Sequence, residues 1–169
     1  MFEKIKPEDL KESVFDLVGN RWLLLTAGDA ETGFNPMTVS WGQLGVLWGK
    51  YVATCYVRPQ RYTRKFMEKG GFFTLSAYPE KMRDIHNVCG GMSGRDIDKA
   101  KEAGLTPVST PEGAVYFAEA ELVFVCKKIY YEDLDPSNFL DKSILDNYPD
   151  HDFHRMYVGE ILEILQKKD

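Results

Sequence analysis

Short apolar segments rich in β-branched and aromatic residues dominate the first half of the chain, separated by turns that contain glycine or proline. This pattern predicts strands at 22–27, 37–41, 51–57 and 72–77. Helical spacing is found at 61–69, 79–88 and 96–103. Strands and helices do not alternate regularly, and no GxGxxG motif follows a strand, which argues against a doubly wound dinucleotide-binding sheet. The pattern favours a closed or nearly closed antiparallel barrel, mainly β with inserted helices.

The second half of the chain is predicted to add further strands to the same barrel. Residues 115–131 are expected to form two strands or one bent strand, and 153–165 a strand that continues into a short helix. Residues 29–36 are interpreted as a turn-rich connector, and Asp96 as the N-cap of the helix that follows it. No repeat or linker interrupts the 169 residues, so residues 1–169 are predicted to form a single domain.

Composition argues against several classes of function. The formal net charge of −5 disfavours general nucleic-acid binding, which needs a basic face. Cys55, Cys89 and Cys126 are scattered without a CxxC pair, so neither a zinc ribbon nor a disulfide framework is indicated, and a cytoplasmic location is predicted. No apolar run approaches the roughly 20 residues of a membrane span, and the N-terminus does not resemble a signal peptide.

The predicted strand 37–41 carries hydroxyl groups and an indole. Alternation places Thr38 and Ser40 on one face, and Met37, Val39 and Trp41 on the other. One interpretation is an ordinary half-polar barrel strand. The other is a strand along which a planar ligand lies, with backbone N–H and C=O groups pairing with the polar edge of its ring.

The turn from Arg58 to Thr63 combines the residue types that bind phosphate. Arg58 and Arg61 offer guanidinium groups, Thr63 offers a hydroxyl, and a helix predicted to begin near Gln60 offers free backbone N–H groups. The alternative is an exposed basic helix start, which the helix dipole disfavours. Such a mismatch is typical of a functional site. Together with the strand 37–41, this turn indicates a phosphorylated aromatic cofactor.

Three other patterns in the sequence are weaker. Residues 93–96 with Lys99 form a polar cluster that either closes over the same ligand or is a helix cap with a solvated lysine. The run 151–154 contains two histidines and an aspartate, but positions three apart on a strand face opposite sides, so no metal site is predicted. His86 and Cys89 could form a Cys–His nucleophile, although a buried inert cysteine is favoured.

The ordered motifs of the chain resemble the flavin reductase-like, FMN-binding split-barrel family, in particular its flavoredoxin-type branch. The resemblance covers roughly residues 21–164 and rests on 35–42, 58–63, 73–76, 89–96 with Lys99, and 154–160. It implies a split β-barrel with Greek-key character and a homodimer with FMN near the subunit interface.

The same resemblance implies which residues hold the cofactor. The implied cofactor-binding residues are Asn35, Thr38, Val39, Ser40, Trp41, Arg58, Gln60, Arg61, Tyr62, Thr63, Cys89, Gly90, Ser93 and Lys99. His154 is expected to lie near the flavin or the reductant as the candidate catalytic residue.

The function implied is that of an FMN-dependent oxidoreductase. Electrons from NADH or NADPH, or from a protein donor, would pass through FMN to an acceptor such as free flavin or ferric iron. The alternative is a non-enzymatic FMN-binding electron carrier without its own nicotinamide site. A third interpretation is a flavin-free barrel that binds another ligand.

Overall fold

The computed structural model describes residues 1–168, which form ten strands and three α-helices. The strands are β1 (Phe2–Ile5), β2 (Leu23–Asp29), β3 (Gly33–Val39), β4 (Gly42–Leu47), β5 (Lys50–Val57), β6 (Phe72–Ala77), β7 (Pro107–Ser109), β8 (Val115–Phe117), β9 (Leu122–Asp133) and β10 (Arg155–Lys167). The α-helices are α1 (Thr63–Lys69), α2 (Ile85–Gly91) and α3 (Lys99–Glu102). A π-helical turn spans Asp16–Arg21, and 3-10 turns span Pro7–Asp9, Glu80–Met82, Pro136–Asn138 and Lys142–Asn147. None of the described helices is long and apolar enough to cross a membrane.

Eight strands form one antiparallel sheet that curls on itself. Its order is β3-β2-β6-β9-β10-β5-β4, with β1 added beside β10, while β7 and β8 form a separate pair. β3 and β4 lie at opposite edges of this order, yet only Ser40 and Trp41 separate them in the chain. Because two linking residues reach only about 10 Å, the two edges must approach each other there. The result is a mainly β barrel, as the sequence predicted, with its opening between β3 and β4.

Hydrophobic residues cover both faces of the sheet. In β2, Leu23 and Leu25 pack in the core inside the barrel, whereas Leu24 packs in a second cluster with Ile85 and Cys89 of α2. Alternate side chains of a strand point to opposite faces, so burial on both sides explains the continuous apolar run that predicted this strand.

Several element predictions needed correction. The presumed connector 29–36 contains a short turn, and β3 already begins at Gly33. β4 was missed, because its glycines weaken the strand pattern. Gly42 is nevertheless required, since a Cβ there would lie 2.7 Å from the carbonyl oxygen of Thr54 on the paired strand. The N-cap of α3 is Asp98 and not Asp96, since the Asp98 side chain accepts from the backbone N–H of Lys101.

The end of the chain also differs from its prediction. No helix follows the last strand within the described residues, because β10 pairs with β9 from residue 155 to residue 166, with two local register shifts. The predicted helix 79–88 divides into a 3-10 turn and α2.

Candidate cofactor-binding site

The end of β3 and the turn after β5 border one open cavity, which we call the first cavity. Its volume is about 240 Å³. It is lined by Met37, Thr38, Val39, Ser40, Trp41, Tyr56, Arg58, Arg61 and His154. The two segments that the sequence singled out therefore lie together, although they belong to different strands.

β3 offers a free backbone edge at this cavity. Within the sheet it pairs only with β2, so its other side has no strand partner. Helix α2 packs close to this side, since a Cβ added at Gly90 would lie 3.3 Å from the Thr38 side chain. The Thr38 hydroxyl also lies 3.0 Å from Nδ1 of His86 on the same helix. Ser40 and Trp41 follow the strand, and Trp41 is 47% exposed.

Two cations beside this edge have only neutral partners. Arg61 donates to the carbonyl oxygen of Gly90 (2.9 Å), and the Lys99 ammonium donates to the carbonyl oxygens of Cys89 (2.8 Å) and Pro36 (3.2 Å). Lys99 is only 4% exposed. Neither side chain forms a salt bridge with any residue of 1–168. These two cations are the strongest indication of an anionic ligand in the structure.

Both cations have lowered pKa values. Burial, and to a lesser extent the nearby positive charge of Arg61, lower the pKa of Lys99 to about 8. Burial also lowers the pKa of Arg61. An anion placed between them would raise both pKa values and remove the repulsion between the two cations.

Asn35 and Thr63 are buried beneath the cations. The Asn35 side-chain amide donates to the Thr63 hydroxyl at 2.7 Å, and Thr63 is fully buried. Gly94 packs directly against Asn35, because a Cβ at this glycine would collide with the Asn35 side chain. In this geometry Asn35 and Thr63 fasten the start of α1 to β3. Their predicted direct contact with a ligand stays a prediction.

Arg58 and Gln60 contact the segment between β9 and β10, residues 134–154. One carboxylate oxygen of Asp152 accepts from the Arg58 guanidinium at 2.6 Å and from the Gln60 amide at 2.5 Å. Arg58 also donates to the carbonyl oxygen of Asn147 at 2.9 Å. Arg58 therefore lines the first cavity with its charge already paired, unlike Arg61.

His154 also lines the first cavity. Its ring centroid lies 5.2 Å from that of Trp41, and its Nδ1 lies 2.7 Å from the Tyr148 hydroxyl. Burial and the positive charge of Arg58 lower the pKa of His154 to about 4, so the imidazole is neutral at pH 7.

Tyr148 was missed by sequence reasoning because it lies in an irregular segment without a periodic pattern. Tyr56, also on the cavity wall, was assigned to the core or a dimer surface.

The remaining predicted residues lie around the cations. The backbone of Cys89 and Gly90 supplies carbonyl oxygens to Lys99 and Arg61, while the Cys89 thiol is buried with a pKa raised to about 11. Ser93 accepts from the backbone N–H of Arg95. Tyr62 lies with its ring 5.0 Å from the Arg95 guanidinium.

Not all predicted residues share the first cavity. Asn35, Tyr62 and Lys99 border a second cavity of about 670 Å³, and Gln60, Thr63, Cys89, Gly90 and Ser93 line neither of the two. Arg61 lines the first cavity and Lys99 the second, and the two side chains are hydrogen-bonded to the adjacent carbonyl groups of Gly90 and Cys89.

Two alternative sites find little support in the geometry. His86 hydrogen-bonds to Thr38, and no hydrogen bond joins it to Cys89 among residues 1–168. Across the same residues, no group of three or more His, Cys, Asp or Glu side chains is arranged to hold a metal ion.

Comparisons with known proteins identify the fold and the family. The sequence profile of the flavin reductase like domain matches residues 16–169, whereas a search of curated proteins gives no match. The structure is similar to an FMN-binding domain of a flavin reductases-like enzyme from Shewanella baltica, with a TM-score of 0.69 and 15% identity over 98% of this chain and 77% of that chain. It is also similar to flavoredoxin from Methanosarcina acetivorans, with a TM-score of 0.69 and 20% identity over 98% of this chain and 76% of that chain.

A third similar structure, from Shewanella frigidimarina, is described as having a split barrel domain. Its TM-score is 0.69 and its identity 16%, over 88% of this chain and 68% of that chain. The split-barrel fold predicted from sequence is thereby confirmed, as is the predicted family. With nearly its whole length matched by the profile and its open barrel shared with these structures, the chain belongs to the flavin reductase-like domain family.

Proposed function

We propose that this chain binds FMN and passes electrons from NADH or NADPH, or from a protein donor, to an acceptor such as free flavin or ferric iron. The observation that carries the proposal is the pair of cations, Arg61 and Lys99, which have no carboxylate partner among residues 1–168. Lys99 is buried and Arg61 beside it is half-buried, and two such adjacent cations are costly unless an anion joins them. A phosphate group meets that need.

The other residues of the site fit a flavin. The free edge of β3 offers backbone donors and acceptors to the polar edge of a tricyclic ring, and the exposed indole of Trp41 offers an apolar surface beside it. Thr38 and Ser40 would adjoin the ring, while Arg61 and Lys99 would hold the phosphate. Structures with this fold from other organisms are described as FMN-binding, which supports the same assignment here.

Bound FMN would supply the redox chemistry, by accepting and releasing electrons. The chain's own residues bind the cofactor, orient it against β3 and place positive charge near it. Positive charge favours an anionic form of a bound group over its neutral form. The neutral imidazole of His154 would line the face on which a reductant arrives.

The second candidate function is an FMN-binding electron carrier without a nicotinamide site. It is favoured by the pairing of Arg58 with Asp152. Arg58 and Arg61 are the two cations that line the first cavity, and if Arg61 serves the flavin phosphate, neither is left for a nicotinamide dinucleotide.

Anaerobic mixing of the FMN-loaded protein with NADH or NADPH separates the two functions. Bleaching of the flavin absorbance within seconds supports the reductase. Absence of bleaching with both nucleotides, together with reduction by a protein donor, supports the carrier. A protein that takes up no FMN in a fluorescence titration contradicts both.

We also propose that the chain acts as a homodimer, as the sequence resemblance implied. The β4–β5 hairpin carries an exposed apolar surface that includes Val46 (67% exposed) and Trp48 (61% exposed). The first cavity is smaller than the roughly 300–1,000 Å³ of most ligand pockets, which supports completion of the site by a second subunit. Light scattering of the Trp48→Glu variant tests this surface, with Lys11→Glu as a surface control. If Trp48→Glu remains as dimeric as Lys11→Glu, the proposed surface is contradicted.

The cytoplasmic location stays a prediction.

A further inference from the structure

The segment 134–154 places one tyrosine hydroxyl against the imidazole of the first cavity. The Tyr148 hydroxyl lies 2.7 Å from Nδ1 of His154, with the two rings edge to face at 5.5 Å. Tyr148 is 5% exposed. The contact is therefore a buried hydrogen bond between two side chains only six residues apart, formed where the chain turns back into β10.

Tyr148 is itself held from several sides. The Arg58 guanidinium lies 4.9 Å above its ring, and the same guanidinium donates to Asp152 and to the carbonyl oxygen of Asn147. The ring of Phe153 lies 4.8 Å away. The hydroxyl is thus fixed in place by contacts that do not involve His154.

The direction of this hydrogen bond follows from the chemistry of the two groups. The Tyr148 hydroxyl has no other hydrogen-bond partner among residues 1–168, so its proton must go to His154 or stay unpaired in a buried position. A phenol is a good donor, and an imidazole nitrogen is a better acceptor than a phenol oxygen. Burial also raises the pKa of Tyr148, so the phenol keeps its proton. Tyr148 therefore donates to Nδ1.

The tautomer of His154 follows from that direction. A neutral imidazole carries one proton, so acceptance at Nδ1 leaves the proton on Nε2. Nε2 has no partner among the described residues, although His154 lines the first cavity beside Trp41 and Tyr56. The charged groups nearby are Arg58, which lowers the pKa of His154, and Asp152, which raises it less. The cavity thus contains a neutral N–H donor without an acceptor.

We propose that Tyr148 is a positioning residue that holds His154 with its proton on Nε2, so that this N–H donates to a carbonyl oxygen of the ring bound in the cavity. The identity of that ring as a flavin rests on the proposed function, whereas the tautomer rests on the protein alone. His154 then recognises a ligand oxygen through a hydrogen bond that carries no net charge at neutral pH.

The first test uses flavin-free protein, so it does not depend on FMN binding. Long-range proton–nitrogen NMR correlations distinguish the two tautomers for each of the three histidines, and the His154→Gln variant assigns the signal. We expect His154 in the Nε2–H form at pH 7. In Tyr148→Phe we expect loss of the single tautomer and a His154 pKa above that of the parent, because donation to Nδ1 stabilises the neutral ring, while burial and Arg58 still hold this pKa below its ordinary value.

The matched control is Tyr78→Phe. Tyr78 is equally buried, at 5% exposure, and its hydroxyl has no hydrogen-bond partner among the described residues. We expect this variant to leave the His154 spectrum unchanged. A parent protein with the proton on Nδ1, or a Tyr148→Phe spectrum identical to the parent's, overturns the positioning role. If Tyr148→Phe fails to fold by thermal melting, the tautomer of the parent alone decides.

The second test adds FMN to the same proteins. We expect the Nε2 proton signal of the parent to move on binding, and the dissociation constant for FMN to rise about 2- to 12-fold in Tyr148→Phe, as for loss of one neutral hydrogen bond. FMN that binds without affecting the Nε2 signal overturns the carbonyl contact. A parent that binds no FMN contradicts the proposed function and leaves the tautomer result standing.

Discussion

Replacement of Lys99 by methionine tests the phosphate assignment most directly. The substitution keeps an unbranched side chain of similar length in a buried position and removes only the ammonium. That ammonium donates to the carbonyl oxygens of Pro36 and Cys89, and it has no carboxylate partner among residues 1–168. Loss of the charge should therefore change the stability of the flavin-free protein little and weaken FMN binding strongly.

The effect on the stability of the flavin-free protein is expected to be small. The pKa of Lys99 falls from 10.5 to about 8, which corresponds to a cost of about 3 kcal/mol for keeping the charge in the folded protein below pH 8. Methionine removes that cost. It also leaves the carbonyl oxygen of Cys89 without its Nζ donor, at about 1–3 kcal/mol, whereas that of Pro36 keeps the Asn35 amide. The free energy of unfolding should change by less than about 2 kcal/mol.

The effect on FMN binding is expected to be large. A charge-assisted hydrogen bond contributes about 1.5–3 kcal/mol, so the dissociation constant should rise about 10- to 150-fold. The parent should also bind FMN more weakly as the pH rises through about 8, because Lys99 then loses its proton in the flavin-free protein. By linkage this decline is at most about tenfold per pH unit, and it should be absent from the variant.

Fluorescence quenching of FMN gives the dissociation constant, and urea unfolding of the flavin-free protein gives the stability. Lys101→Met is the matched control, since Lys101 is exposed and lies two residues further along α3. It should change neither quantity. If Lys99→Met retains FMN within twofold of the parent, or shows the same decline above pH 8, Lys99 does not contact the phosphate.

Three further outcomes can be checked by urea unfolding. Thr63→Val should lower the free energy of unfolding by about 1–3 kcal/mol, since it removes the hydroxyl that accepts one N–H of the buried Asn35 amide; an unchanged value contradicts this. Gly159→Ala should cost about 1–3 kcal/mol, because its Cβ would lie 2.5 Å from a core phenylalanine ring; stability equal to the parent's would mean that the ring shifts freely. His86 and His154, each with a pKa lowered to about 4 by burial, should make stability fall as the pH drops from 6.5 through about 4. A variant with glutamine at both positions should lack that part of the slope.

The sequence predicted the barrel because most of its strands are buried on at least one face. β2 and β6 carry continuous or alternating apolar side chains, and both were predicted within two residues of their observed ends. β4 has no such pattern. Two of its six residues are glycines, and four are exposed, so only its pairing with β5 defines it as a strand. Pairing between edge strands depends on the curl of the whole sheet, which local propensity does not encode.

Only part of the site was predicted, because several of its contacts also depend on the whole fold. Arg61 was predicted because a basic turn at a helix start breaks a local electrostatic rule, whereas Lys99 was predicted only from the polar cluster at 93–96 and the family resemblance. The partners of Arg58 were not found, because Asp152 lies 94 positions away in an irregular segment. Tyr148 likewise has no local signal, and its role depends on where the segment 134–154 folds back against the barrel.

Arg58 and Arg61 show how the fold separates two residues that look equivalent in sequence. They are three positions apart on one basic turn, and both line the first cavity. The Arg58 side chain is directed to Asp152 and secures the segment that carries Tyr148 and His154. Arg61 is directed toward α2, where the carbonyl oxygen of Gly90 accepts from its guanidinium without neutralising its charge. Because the buried Lys99 adds a second cation beside the half-buried Arg61, the folded chain keeps an unbalanced positive charge that only an anion from outside residues 1–168 can neutralise.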